Sequence, residues 1–372
     1  MVAHRRLPPV FHHRLSIIHY LMVREEMQIG RVGPDVPDPA AGRATAEIGS
    51  GKLVLLRTDG ESGHHFVAAA RIVSAETIAT MLRDAAGMPM LALPPSRCEA
   101  LELERIGGQA SGREMLTTFE ARTGVTTGIS AADRARTMRV AADPRSGSAD
   151  IVTPGHVVPI RVNPHSLLTE GPSPEASALE LVEAAGHGGG AVLCQVMDAA
   201  GNPAGAPDAA ALASKLGIQL VDQTSVLLNQ LRKTVLVSRV TAEMVSTAVG
   251  VIGCVTFLET TSGRRHFALS RRLNSGPAIR QVLVREQDPI RDMVDLGSTL
   301  LGDLELVATR DDVAMLYLSP TAPQGEETAE SQDPKSRTLI RAEVTRQMLG
   351  DLGIVAVVAS RSGPHPLPQD PS

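Results

Sequence analysis

Two residues of this chain have the type and setting for proton or cation chemistry. His156 lies in P-G-H-V-V-P, from Pro154 to Pro159. An imidazole there can act as a general acid/base if a partner lies within hydrogen-bond reach, and is a plain strand histidine if none does. Glu61 lies in R-T-D-G-E-S-G-H-H, from Arg57 to His65, with Asp59 two residues before it. Its carboxylate can take magnesium together with waters and substrate, or can be a solvated loop acid. The pairs His12, His13 and His64, His65 invite a metal reading. Neighbouring strand residues point to opposite faces, however, so neither pair offers two ligands to one ion, and both are expected as solvated loop residues. The glycines from Gly186 to Gly190, with His187 among them, lack the spacing and the basic residue of a nucleotide-binding loop and read as a helix-to-strand turn. Cys98, Cys194 and Cys254 are far apart with no C-x-x-C pair, which fits buried free thiols in a reducing cytoplasm rather than a disulfide framework or a zinc site.

The elements that must position these groups alternate. A short apolar strand at 52–56 is followed by helical spacing over 75–86, where Ile78, Met81 and Leu82 share a face, and by a strand at 88–93. Helices at 176–185, 208–216 and 225–232 alternate with strands at 191–196 and 218–221. From Lys233 the segments lengthen into strands at 234–240, 251–259, 266–271 and 279–285, then a helix at 339–352 and a strand at 354–359. The pattern is α+β (mixed α/β): a larger α/β domain over 46–232 and a smaller one over 233–360. Residues 1–45 are expected as an extension and linker, with Pro, Gly and Ala concentrated in 30–46. Residues 320–337 and the tail 361–372 have the composition of disordered segments.

Four segments in order carry a family resemblance: S-A-E-T at Ser74, F-E-A-R-T-G-V-T-T-G-I-S-A-A-D-R-A-R-T from Phe119, P-G-H-V-V-P-I-R from Pro154, and A-V-L-C-Q-V from Ala191. Together they resemble 3,4-dihydroxy-2-butanone 4-phosphate synthase, the riboflavin-pathway family that converts ribulose 5-phosphate to a four-carbon phosphate and formate. The resemblance implies a substrate pocket lined by Thr126, Thr127, Ser130, Asp133 and Arg134. The same residues also read as turn chemistry and a core-edge ion pair. It further implies proton transfer by His156 and by the residue at Gln195, and a magnesium site in the loop that holds Glu61.

Several positions depart from the family pattern. The acidic loop D-D-E-x-R-E-N-E-G-D is represented by Leu56, Arg57, Thr58, Gly60, Glu61 and His65, so Glu61 alone keeps a ligand position. R-G-G-H-T-E-A becomes E-G-P-S-P-E-A, placing Glu170 at the Arg, Gly171 in the loop, Ser173 at the metal His and Pro174 at the Thr. A carboxylate at Glu170 repels a phosphate dianion, and proline removes a hydroxyl and a backbone donor. The strand glutamate becomes Gln195, which keeps hydrogen bonding but exchanges no proton near neutral pH. The C-terminal half, with R-R-H-F-A-L-S-R-R-L from Arg264, is similar to a GTP cyclohydrolase II domain. Where that domain builds its zinc site from cysteines, this chain has D-P-I-R-D-M-V-D-L-G-S-T-L-L-G.

A net charge of −5, 2% aromatic residues and no Trp argue against a nucleic-acid partner. No apolar run is long enough for a membrane span, and Pro8 and Pro9 interrupt any leader-like segment, so a cytoplasmic protein is expected. The expected function is that of a divergent paralogue of the synthase that binds a small molecule, such as a phosphosugar, or assists a competent homologue. No cofactor is assigned, and a homodimer or a dimer with a homologue is the expected assembly. The alternatives are an active lyase working through a reduced site of Glu61, Asp59 and His156, and an enzyme recruited to another reaction through His156 with Gln195 and Ser173 orienting the substrate.

Overall fold

The computed structural model describes residues 26–27, 39–58, 63–106, 114–163, 165–169, 171–273, 278–287, 298–320, 334–354 and 358–361. In chain order these form β1 (Glu26–Met27), α1 (Pro39–Gly49), β2 (Val54–Arg57), β3 (His65–Ala69), α2 (Ala75–Thr80), β4 (Met90–Leu93), α3 (Pro95–Ala100), β5 (Glu114–Met115), β6 (Phe119–Ala121) and α4 (Ala131–Ala142). Next come β7 (Ile151–Arg161), α5 (Ser166–Thr169), α6 (Pro174–Ala184), β8 (Ala191–Gln195), α7 (Ala206–Leu216), β9 (Gln219–Asp222) and α8 (Gln223–Lys233). The last group is β10 (Val237–Thr247), β11 (Gly250–Glu259), β12 (Arg265–Ser270), β13 (Gln281–Glu286), α9 (Ser298–Thr309), β14 (Val313–Leu318), α10 (Pro334–Asp351) and β15 (Val358–Arg361).

The first sheet runs β5-β7-β4-β8-β3-β2-β9, with β6 added on β7. Alternation along its strands feeds two cores. Leu55, Phe66, Ala68, Leu91, Leu93, Val192 and Cys194 face α2, α3, α4 and α7, whereas Val54, Leu56, Val67, Ala69, Ala92 and Leu193 face α1, α5, α6 and α8. With both faces covered, β3 is buried at every position. The second sheet runs β1-β15-β13-β14-β12-β11-β10. Val307 of α9 packs on one face with Leu283 and Met315, and Ile340, Val344 and Met348 of α10 pack on the other with Phe257, Val282 and Leu316. Helix α10 also lies against α8, so the apolar core continues from one sheet to the next.

The helices begin where polar caps allow. Ser74, Ser130 and Ser173 each accept a backbone N–H three residues on, opening α2, α4 and α6, and Pro174 occupies the first turn of α6, where its missing donor costs nothing. The structure corrects the sequence reading in several places. Residues 39–45, expected as linker, belong to α1, whose Ala41, Ala44 and Ile48 are fully buried; the helical spacing of these small side chains outweighs the Pro and Gly around them. His64 and His65 are buried rather than solvated, because the strand they open lies between β2 and β8. Helix α10 starts at Pro334, inside the segment expected to be disordered, and α9 and β14 were not foreseen from the sequence. Part of that segment, 321–333, lies outside the described residues, as do 362–372, His12 and His13.

Candidate functional site

The site is built where β6 and β7 part company. Phe119 pairs with Val157 but Glu120 pairs with Val152, so Thr153 to His156 form a bulge on β7 opposite one step of β6. The bulge turns the His156 ring onto Glu120, and His156 Nδ1 hydrogen-bonds Glu120 Oε1. Gly155 makes this possible: a Cβ there would overlap the Phe119 backbone and the Glu120 side chain. The Gly155 N–H is held by Thr118 Oγ1 at 3.3 Å. The carboxylate is largely covered, at 15% side-chain exposure, while the imidazole is 43% exposed. With Nδ1 on a carboxylate, Nε2 is the ring nitrogen that can exchange a proton with a ligand, the base-and-orienter arrangement common to proton-transfer sites.

Beside this pair stands the loop of 123–130. Asp133 Oδ1 accepts from the Thr126 N–H at 3.2 Å, and its Oδ2 accepts from Thr126 Oγ1 at 2.9 Å and from the Gly128 N–H at 3.1 Å. Its own N–H donates to Ser130 Oγ at 3.0 Å. These donors, the Thr126 hydroxyl foremost, hold the Asp133 carboxyl below its ordinary range. The expected Asp–Arg pair is absent here, since Arg134 donates to the Ile129 carbonyl. Thr127 is exposed on the same loop.

The remaining candidates lie along one edge of the sheet. Met90 is level with both Val158 and Leu193, so His156 and Gln195 extend beyond it in the same direction, separated by β4 and hence by two strand spacings, about 10 Å. Gln195 is paired with His65, and Leu56 with His65 on the other side. A Cβ on Gly63 would stand 2.6 Å from Gln195 Nε2, so the backbone of this glycine closes on the amide. At the far end of the edge, Arg57 is ion-paired with Asp222. His64 Nδ1 accepts the Thr58 N–H at 3.3 Å; burial, and then Arg57, hold this imidazole below its ordinary range, while Asp222 acts the other way. Helix α6 runs antiparallel to β8 through the short 185–190 connection, which brings its N-terminus, Ser173 and Gly171 to the Gln195 end.

Ser173 is engaged as a helix cap. Its Oγ accepts the Ala176 N–H at 3.1 Å as the cap of α6. Gly171 is buried, and its N–H donates to the Ser166 carbonyl at 3.1 Å. Glu61, Asp59, Gly60 and Glu170 lie outside the described residues. Among the described residues no three His, Cys, Asp or Glu side chains converge as metal ligands. Glu120 was missed from the sequence. Its signal was the F-E-A-R run itself, but nothing local links it to a histidine 36 positions away. Cys98 and Cys194 are buried and Cys254 is half-buried, all three as free thiols. No described helix is long and apolar enough to cross a membrane.

Residues 42–228 match the family model of 3,4-dihydroxy-2-butanone 4-phosphate synthase. A protein of that name from Pseudomonas aeruginosa is 32% identical over 269 residues, covering 71% of this chain and 73% of its own. The riboflavin biosynthesis protein RibBA of Salinispora arenicola is 32% identical over 289 residues, 74% of this chain and 68% of its own. Among solved structures, RibBX, a two-domain synthase from A. baumannii, is similar with TM-score 0.71 and 26% identity over 89% of this chain and 95% of that one. A synthase in complex with two magnesium ions is similar with TM-score 0.50 and 25% identity over 53% of this chain and 98% of that one.

Proposed function

Because the chain belongs to the 3,4-dihydroxy-2-butanone 4-phosphate synthase family of riboflavin biosynthesis, we propose that it is a small-molecule-binding member that keeps a proton-transfer pair and has a reduced metal and phosphate half. The observation that carries this reading is Ser173. At the position where the resemblance places a metal histidine, a short hydroxyl is engaged in capping α6, and Pro174 follows it. A capped hydroxyl is a poor substitute for an imidazole ligand, and a proline offers the phosphate no N–H. Gln195, on the strand where the family has a glutamate, binds and orients without exchanging a proton.

The test is direct. Purified protein is incubated with ribulose 5-phosphate and magnesium, with the Pseudomonas aeruginosa synthase as positive control, and formate is measured. No release above background is expected; turnover comparable to the control, abolished by His156→Ala, overturns the proposal in favour of an active lyase. A thermal-shift screen of sugar phosphates and small hydroxyketones then looks for a ligand whose binding weakens in Gln195→Ala.

The Glu120–His156 pair favours a second reading, an enzyme recruited to proton transfer on a bound carbonyl compound. His156 Nε2 would take a proton from carbon next to the carbonyl while Glu120 steadies the imidazolium. Deuterium uptake at that carbon of a bound hydroxyketone, followed by NMR in D2O, supports the reading if it is lost in His156→Ala. Uptake that survives the substitution removes it.

A further inference from the structure

We propose that Asp133 is a positioning residue for the Glu120–His156 pair, acting through Gly128, rather than a substrate contact. The inference rests on the reading of that pair as the proton-transfer element. Asp133 is 5% exposed, and its oxygens are occupied by three donors of a single loop, two from Thr126 and one from Gly128. Thr126 Oγ1 donates its one proton to this carboxylate, so the hydroxyl is tied to the loop's own acid.

The consequence is felt at Gly128. Held by its N–H, it adopts φ +77° and presents its bare α-carbon to Glu120, where a Cβ would overlap the carboxylate. Gly155 closes on Glu120 from β7 in the same way. Between two glycine backbones the Glu120 side chain has one place to lie, and there Oε1 meets His156 Nδ1. Asp133 thus fixes the loop, the loop fixes the carboxylate, and the carboxylate fixes which imidazole nitrogen carries the proton.

The test reads that last step in the full-length chain. Side-chain 15N NMR reports the His156 tautomer, and the Nδ1–H form is expected in roughly tenfold excess, as a charge-assisted hydrogen bond of ordinary strength dictates. In Asp133→Asn, and in Thr126→Val if the first variant does not fold, the ratio should fall at least about threefold, since an amide cannot accept all three donors. Arg139→Ala is the control. It lies on the same helix and bonds the Val73 carbonyl at 2.6 Å, so it lowers stability without touching the loop. Glu120→Ala separates the two ideas, because it removes the acceptor altogether. A tautomer shift in Glu120→Ala with none in the folded Asp133 or Thr126 variants refutes the positioning role and leaves the pair standing. No shift in Glu120→Ala refutes the pair itself.

Discussion

Gly128→Ala offers a sharp test of how the candidate site is held. Two costs combine at this position. An alanine at φ +77° sits in the left-handed region, which disfavours an L side chain by about 1–2 kcal/mol. The new methyl also overlaps the Glu120 carboxylate and must push it off its rotamer and away from His156, for about another 0.5–1.5 kcal/mol. The total is about 1.5–3.5 kcal/mol of stability. Gly186 supplies the reference: its φ is +76° and nothing lies within 4 Å of an added Cβ, so Gly186→Ala carries the backbone cost alone. The collision can be isolated further by a cycle with Glu120→Ala, in which the carboxylate is absent and Gly128→Ala should cost no more than Gly186→Ala. Urea unfolding of the four cycle variants and the reference, followed by far-UV circular dichroism, gives the coupling energy, expected near 1 kcal/mol. If Gly128→Ala costs no more than Gly186→Ala, or costs as much without Glu120 as with it, the carboxylate is not packed on Gly128 and the account of the site fails.

Other expectations follow from single observations. Since the folded state disfavours the protonated form of His64, the unfolded chain binds the extra proton. The stability this histidine contributes is whole above its ordinary value of 6.5 and is lost as pH falls below it, no more steeply than about 1.4 kcal/mol per pH unit. His64→Gln, compared with the parent by urea unfolding at pH 7.5 and 5.5, should flatten that dependence, and equal slopes would remove His64 as its source. Ser173→Ala should lose about 1 kcal/mol of stability through the missing cap, with unchanged magnesium binding by calorimetry; a loss of magnesium affinity would show the hydroxyl to be a ligand. Burial pushes the Cys98 and Cys194 thiols up to about 11 and about 12, so native protein at pH 8 should resist iodoacetamide at both positions, and rapid alkylation followed by mass spectrometry would contradict their burial.

Much of this molecule was legible along the chain, and the reason is local. The run from Phe119 to Thr137 and the P-G-H segment carry the family, and apolar spacing places α6, α7, α8 and the strands between them within a few residues of where they lie. Helix α1 escaped because proline and glycine near its start read as linker, while its burial depends on β2, β9 and α6, which only the folded chain brings alongside. The histidines at His64 and His65 were misjudged for the same reason: exposure belongs to a strand's neighbours, and β3 has one on each side. The site divides in the same way. The family resemblance, read position by position, implies which acid, base and ligand groups differ at Glu61, Glu170, Ser173 and Gln195. Whether His156 has a partner was decided by a register shift between β6 and β7, and whether Asp133 faces a ligand or its own loop was decided by three donors converging on one carboxylate. Residue chemistry is written in the chain position by position, whereas a hydrogen bond between residues 36 positions apart exists only once strand register and backbone packing have set the distance.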